Sequence, residues 1–405
     1  MKKVKKVLVL SLVACMVLGF AACSGNGDVM QGTSPEPPPA DNTATPTPSG
    51  MTPEEIRAIV DKVAAESDWG EMAFESGIID TIDEIIEIDG NYTFRVGCTQ
   101  GGRSDGTFVL ELLQAYIEGS TAGKVRVEVY PLSQLGTNAQ ALEGVLDGSI
   151  TAWVSPLDQL YNYAPGIGVT SIPFFFDKGA YQAVNIFRQD PTMEEYLKAQ
   201  GFWPVSWAYI NSNNIISTKK FETINDFSGA KIWVHPTENW QMMASSFGAT
   251  PVVLDSSEIA MSFQTGAIDA CSAGISFFDG FKIQETAGYM HDFPFGAAPF
   301  VLSFGVEYMN SLPENLRNLI IKAGRLIPDF QHEFNVELLK GAEASVSQDA
   351  EIVRASDELQ DEMKSRTAHI ADAYIEKGEE NAKLYETFKG LIDSYNAANG
   401  ERGLW

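Results

Sequence analysis

From Asn91 onward, apolar and polar positions follow two rhythms. Residues 92–98 and 125–130 alternate at every second position, as strands do. Residues 108–117 and 138–146 place apolar side chains three or four apart and predict helices. A strand is expected at 150–154 and a mostly helical stretch at 181–197. Residues 202–210, 215–217, 231–234 and 250–254 read as strands, and 258–264 as a short helix leading through Thr265-Gly266 into another strand. From Pro313 to about Tyr395 the pattern is almost entirely helical. Strands alternating with helices imply an α/β fold with a mainly parallel sheet covered on both faces, and such sheets take ligands at the carboxyl ends of their strands.

Ahead of this rhythm, Thr52-Pro53-Glu54-Glu55 forms a capping box with Pro at the first helical position, followed by Ile56, Ile59, Val60 and Val63 at helical spacing. Residues 51–90 carry twelve Asp/Glu against two Lys/Arg, which reads as a solvated helical extension with one apolar stripe. Asp80, Asp83 and Asp89 lack the closely alternating oxygen ligands of a calcium loop. At the start, Lys2, Lys3, Lys5 and Lys6 precede an apolar run from Val7 to Phe20 and then Ala21-Ala22-Cys23, the layout of a secretion signal over 1–22. The run is shorter than the roughly 20 residues a bilayer core needs. Cysteine directly after Ala-Ala is similar to the bacterial lipoprotein cleavage box, with Phe20 where that box has Leu. Cys23 is therefore the expected lipidated residue, and the competing Cys15 would leave too short an apolar region. Residues 23–50, rich in Gly, Ser, Thr, Asn and Pro, cannot bury apolar surface and read as a disordered tether.

Composition narrows the function. The 405 residues hold 28 Lys+Arg against 54 Asp+Glu, a net charge of −26, so a nucleic-acid partner is disfavoured for want of clustered cations. Four His and four Cys, scattered, argue against a metal-rich or disulfide-built protein, and nothing points to a cofactor. Cys98 and Cys271 read as two buried thiols, with a bridge between them as the alternative. Gly119-Ser-Thr-Ala-Gly123-Lys124 is one residue short of a P-loop and precedes a strand. Gly166-Ile-Gly168 lacks the third glycine of a dinucleotide site. His235, His291, His332 and His369 stand far apart and each reads as a surface or satisfied core residue. Without a nucleophile elbow or a zinc pair, the sequence offers no enzyme.

Six phrases in register carry a resemblance. They are Val125-Arg-Val-Glu-Val-Tyr-Pro131 with Ser133-Gln-Leu-Gly136, Ile172-Pro-Phe-Phe-Phe176, Phe227-Ser-Gly-Ala-Lys-Ile-Trp-Val234, Phe247-Gly-Ala-Thr-Pro251 and Phe263-Gln-Thr-Gly-Ala-Ile-Asp269. Together, from Tyr92 to about Leu326, the chain resembles the solute-binding proteins of TRAP transporters, the DctP family. The resemblance implies a two-lobed periplasmic-binding-protein-like fold with a hinge and a helical C-terminus, closing on a small organic solute for a membrane permease. It implies crossing points near Asn211, Pro299 and Leu339. Lobe I would then be 91–210 with 299–338, and lobe II 211–298 with 339–395.

The family's contact residues are where this chain departs. The carboxylate-gripping arginine of the family's Lys-Ile-Arg-Val phrase is here Trp233, a second family arginine falls on Asn214, and the Asp-Gly-Gln-Glu-Asn run becomes Asp269-Ala-Cys-Ser272-Ala273. Tryptophan offers one N–H and no charge, so it stacks on a flat, aliphatic or cationic ligand instead of clamping an acid. Trp240 and Tyr209 are expected to join it, with Thr99, Asn138, Ser155 and Ser272 supplying neutral hydrogen bonds. The alternative is that Trp233 packs in the lobe core and Arg103 takes over as the clamp for an acid. The expected protein is a lipid-anchored, extracytoplasmic binding protein held to the membrane only by its lipid. An extracellular sensor component, a secreted hydrolase and an ABC-type binding lipoprotein are the other readings.

Overall fold

The computed structural model describes residues 50–209, 213–293, 295–297 and 299–399. The signal segment, Cys23, nearly all of the tether and Asn211 lie outside the described residues. In chain order the strands are β1 (Tyr92–Cys98), β2 (Val125–Tyr130), β3 (Ala152–Pro156), β4 (Phe202–Ala208), β5 (Asn214–Ser217), β6 (Lys231–Trp233), β7 (Thr250–Val252), β8 (Ala270–Ala273), β9 (Tyr289–Asp292), β10 (Phe300–Gly305) and β11 (Glu351–Arg354). They form two sheets, ordered β2-β1-β3-β10-β4 and β11-β9-β5-β8-β6-β7.

Each sheet is parallel except for one strand. β10 runs against both β3 and β4, and β5 against both β8 and β9. These two are the strands that have just arrived from the other sheet, since β4 leads to β5 and β9 leads to β10. A chain that leaves one sheet at the carboxyl end of a strand enters the next sheet at the facing edge, so it must run backwards there. The carboxyl ends of the remaining strands in both sheets therefore look toward the crossings. The expected mainly parallel arrangement is present, divided between two sheets that each carry one antiparallel strand.

The helix Glu314–Asp349 is the third link. Leu316, Leu319, Ile320, Ala323 and Ile327 pack with Phe94, Phe304 and Leu112 of the first sheet's core, and Ala342 and Val346 pack with Ile216 and Phe278 of the second. Gly324 brings this helix onto β4: a Cβ there would stand 2.1 Å from the Val205 carbonyl oxygen. The buried Gln331 amide then fixes where the chain leaves β4. Its Oε1 accepts from Tyr209 N at 2.7 Å, and its Nε2 donates to Tyr209 O at 2.5 Å and to Asp105 Oδ1 at 2.8 Å. Asn335 Nδ2 donates to the same Asp105 oxygen at 2.8 Å, and Ser276 Oγ donates to Asp105 Oδ2 at 3.4 Å from beyond β8. Burial pushes the Asp105 carboxyl up to about 6, against the lowering effect of the Asn335, Gln331 and Ser276 hydrogen bonds.

Three further expectations change. A strand, β11, interrupts the helical C-terminal stretch and pairs in parallel with β9. The final helix, Glu379–Asn399, sits with the first sheet rather than with the 211–298 segment: Leu384, Phe388 and Ile392, four residues apart, pack with Phe176, Phe187 and Val301. Phe175 stacks on Tyr385 with ring centroids 4.9 Å apart and Phe176 meets Phe388 at 6.3 Å, so these two rings dock this helix, while Phe174 packs with the second sheet's core. Residues 51–90 are more than a solvated extension. Ile56, Val60 and Val63 join the first core, and buried Glu118 accepts from Trp69 Nε1 at 2.7 Å and Ser67 Oγ at 2.9 Å. Cys98 and Cys271 are both buried and free.

Between the two sheets' flanking elements, Trp240 Nε1 donates to Asp158 Oδ2 at 2.7 Å and Asn239 Nδ2 to Gly168 O at 2.8 Å. Asp158 is wholly buried, and burial pushes its carboxyl up to about 7 despite the Trp240 N–H. Because the folded value exceeds the ordinary value of about 3.9, the folded state favours the protonated acid. The stability this confers is full below about pH 4 and is lost as pH rises through 7. Asp158→Asn should therefore gain on the wild type between pH 4.5 and 7.5 in urea unfolding; a pH-independent difference would contradict the assignment. A second pair tests the long helix. Gly324→Ala should lose about 1–3 kcal/mol by overpacking, whereas Gly341→Ala, with open space at its Cβ, should gain about 0.5–1 kcal/mol.

Candidate functional site

The carboxyl ends of the two sheets enclose a cavity of about 30 Å³, room for about one water molecule. From the first sheet it is lined by Thr99 and Gln100 after β1, Asn138 at a helix start, Pro156 and Gln159 after β3, and Phe300 at the start of β10. From the second come Asn213 before β5, Trp233 at the end of β6, His235, Ser256 after β7, Ala273 at the end of β8, and Phe277. Among the described lining residues none is an acid, a lysine or an arginine. The walls are polar but uncharged.

Trp233 is 2% exposed and forms part of the cavity wall. Its Nε1 donates to Leu254 O at 3.0 Å, so the indole offers the cavity a face and no donor. That face is parallel to Phe277, within 2° and with centroids 6.3 Å apart, and tilts against the His235 ring at 5.0 Å. Thr99 and Asn138 line the cavity as expected, and Asn138 Oδ1 also accepts from Trp153 Nε1 at 2.9 Å.

The other expected contacts are not among the lining residues. Arg103 turns outward, pairs with Glu75 at 2.8 Å in an exposed ion pair and lies over the Phe334 ring at 5.6 Å. Asn214 lines instead a separate cavity of about 530 Å³ with Asp292, Leu339 and Arg354. Trp240 is fully buried behind His235, its N–H spent on Asp158. Tyr209 is held at the crossing, with its hydroxyl accepting from Arg188 and donating to Asn185, both at 3.1 Å. Ser155 and Ser272 sit within β3 and β8, one residue short of the cavity, and their hydroxyls have no hydrogen-bond partner.

His235, expected as a satisfied or surface residue, is neither. It is 5% exposed, both ring nitrogens lack a partner, and burial lowers its pKa to about 4. His291 shows the satisfied alternative: Phe221 N donates to its Nε2 at 2.8 Å, and its Nδ1 meets Ile215 O at 3.2 Å. An unmet buried polar atom costs about 1–3 kcal/mol, so the cavity carries a cost that a bound group can relieve. Asn213 Nδ2 and Ser256 Oγ are likewise shielded and without partners. The available signal was position: His235 follows β6 by two residues, at the carboxyl end where such sheets bind.

Residues 103–377 match the family model of the bacterial extracellular solute-binding proteins, family 7, named DctP. The C4-dicarboxylate-binding periplasmic protein DctP of Rhodobacter capsulatus is 25% identical over 223 residues, 53% of this chain and 63% of its own. Two crystal structures share the fold. The TRAP periplasmic solute-binding protein of Desulfovibrio salexigens with bound orotic acid has a TM-score of 0.71 at 21% identity, over 75% of this chain and 100% of its own. That of a Sulfitobacter species with bound β-D-galacturonate has a TM-score of 0.70 at 18% identity, over 74% of this chain and 99% of its own. With more than half of its length matched, two sheets, three links and a helical C-terminus, the chain belongs to the DctP family of extracellular solute-binding proteins.

Proposed function

We propose that the protein is a lipid-anchored, extracytoplasmic solute-binding protein that captures one small organic molecule between its sheets and delivers it to a TRAP permease. It does no chemistry: ligand binding favours the closed arrangement, and the permease reads that closure. The observation that carries the ligand class is the uncharged cavity. The similar proteins were found with acids, among them galacturonate, glucuronate and succinate. A carboxylate here would meet no arginine or lysine among the described lining residues, so burial would leave it unpaired. The solute is uncharged, with Trp233 and Phe277 as its apolar walls and Thr99 and Asn138 as neutral contacts. The anchor is Cys23, and the tether of residues 23–50 gives the folded part reach from the membrane.

A thermal-shift screen of the mature protein tests the ligand class, because a ligand bound only by the folded state stabilises it by about 2.7 kcal/mol at a hundred times its Kd. Uncharged compounds should raise the melting temperature and dicarboxylates and uronates should not; hits confined to acids would contradict the proposal. Trp233→Ala should lose binding of the best hit along with about 3–5 kcal/mol of stability, while Trp233→Phe, which keeps an aromatic face, should bind within tenfold of the wild type. The anchor has its own test in cell fractionation. Cys23→Ala should move the protein from the membrane to the soluble fraction, and continued membrane association would exclude Cys23 as the lipid site.

A further inference from the structure

Three polar groups in the cavity lack protein partners: both ring nitrogens of His235, Nδ2 of Asn213 and Oγ of Ser256. They are not an accident of the fold's histidine chemistry, since the equally buried His291 has both nitrogens engaged. Burial lowers the His235 pKa to about 4, so at neutral pH the ring carries one N–H and one bare lone pair. The Asn213 amide and the Ser256 hydroxyl offer donors. One wall of the same cavity is the Trp233 face, parallel to Phe277. The inventory is two or more donors, one strong neutral acceptor, flat apolar walls and no charge.

We infer that the site selects a flat, uncharged ring bearing a carbonyl oxygen and a ring N–H, a cyclic amide or imide, with His235 accepting from the N–H and Asn213 and Ser256 donating to the carbonyl. This rests on the cleft being the capture site for an uncharged solute. An acid would need a cation that the lining does not hold, and an apolar ring would leave all three groups unsatisfied. A ring N–H beside a carbonyl satisfies an acceptor and a donor along one edge while its faces meet the aromatic walls. Binding requires the sheets to part first, since the enclosed 30 Å³ is smaller than any such ring.

The test is isothermal titration calorimetry of the mature protein with uracil, 1,3-dimethyluracil, glucose and D-galacturonate. Uracil presents N–H and C=O edges; its dimethyl derivative keeps the flat shape and the carbonyls but has no N–H. Uracil should bind the wild type, and 1,3-dimethyluracil at least tenfold more weakly. His235→Phe should weaken uracil binding at least tenfold, and His235→Gln, which restores an acceptor, should recover part of that loss. The inference is overturned if uracil does not bind, if the two pyrimidines bind alike, or if His235→Phe binds as the wild type does. The pyrimidine comparison needs only wild-type protein, so it stands even if a variant does not fold. Glucose binding without uracil would sink the cyclic-amide class while leaving the uncharged-solute reading intact, whereas galacturonate binding alone would sink both.

Discussion

One side chain holds the two halves in register. Gln331, buried in the middle of the long helix, grips the backbone of Tyr209 in both directions, as a neighbouring strand would, and reaches Asp105 with the same amide. At that point the chain leaves β4 for the second sheet, and the partly raised acid of Asp105 gathers Asn335 from the helix and Ser276 from the far side. Satisfied networks of this kind fix a unique geometry because a half-satisfied one is so costly. Everything above the node follows from where it puts the crossings. The arriving strands β5 and β10 run backwards, the other carboxyl ends face one another, and the cavity lies between them.

The charge of the molecule and the character of its cleft are opposed. The chain carries a net charge of −26, yet the described residues lining the cavity include no ionisable side chain except His235, which burial keeps neutral. The nearest expected cation, Arg103, is spent on Glu75 outside. The indole of Trp233 spends its donor on its own lobe, at Leu254 O. On the proposed reading, recognition falls to aromatic faces and to the neutral polar groups that the fold leaves unpartnered, a mode that rewards hydrogen-bond matching over ion pairing.

Much of the architecture was legible in the sequence. Strict alternation marked β2, the capping box at Thr52 marked a helix start, and the six phrases identified the family. What escaped had physical reasons. β11 is four residues long with charged ends, too short for a period to emerge from the helical stretch around it. β10 is buried at every position, so it shows no alternation at all. The final helix advertised an apolar stripe without saying which sheet would receive it. Trp233, which lines the cavity, stood out in the sequence because it replaced a family residue. His235 did not, because a lone histidine shows its worth only once its missing partners can be seen. The outward turn of Arg103 was not legible, since its pairing with a glutamate twenty-eight positions away leaves no local trace.

The central claim is that the cleft encloses an uncharged solute. The most direct measurement is to purify the protein gently from its native cells, denature it, and identify the small molecule released by mass spectrometry. An uncharged compound bearing carbonyl and N–H groups, present in proportion to the protein, is the predicted result. A stoichiometric carboxylic acid would contradict the account, because it would require a counter-charge that the described cleft does not provide.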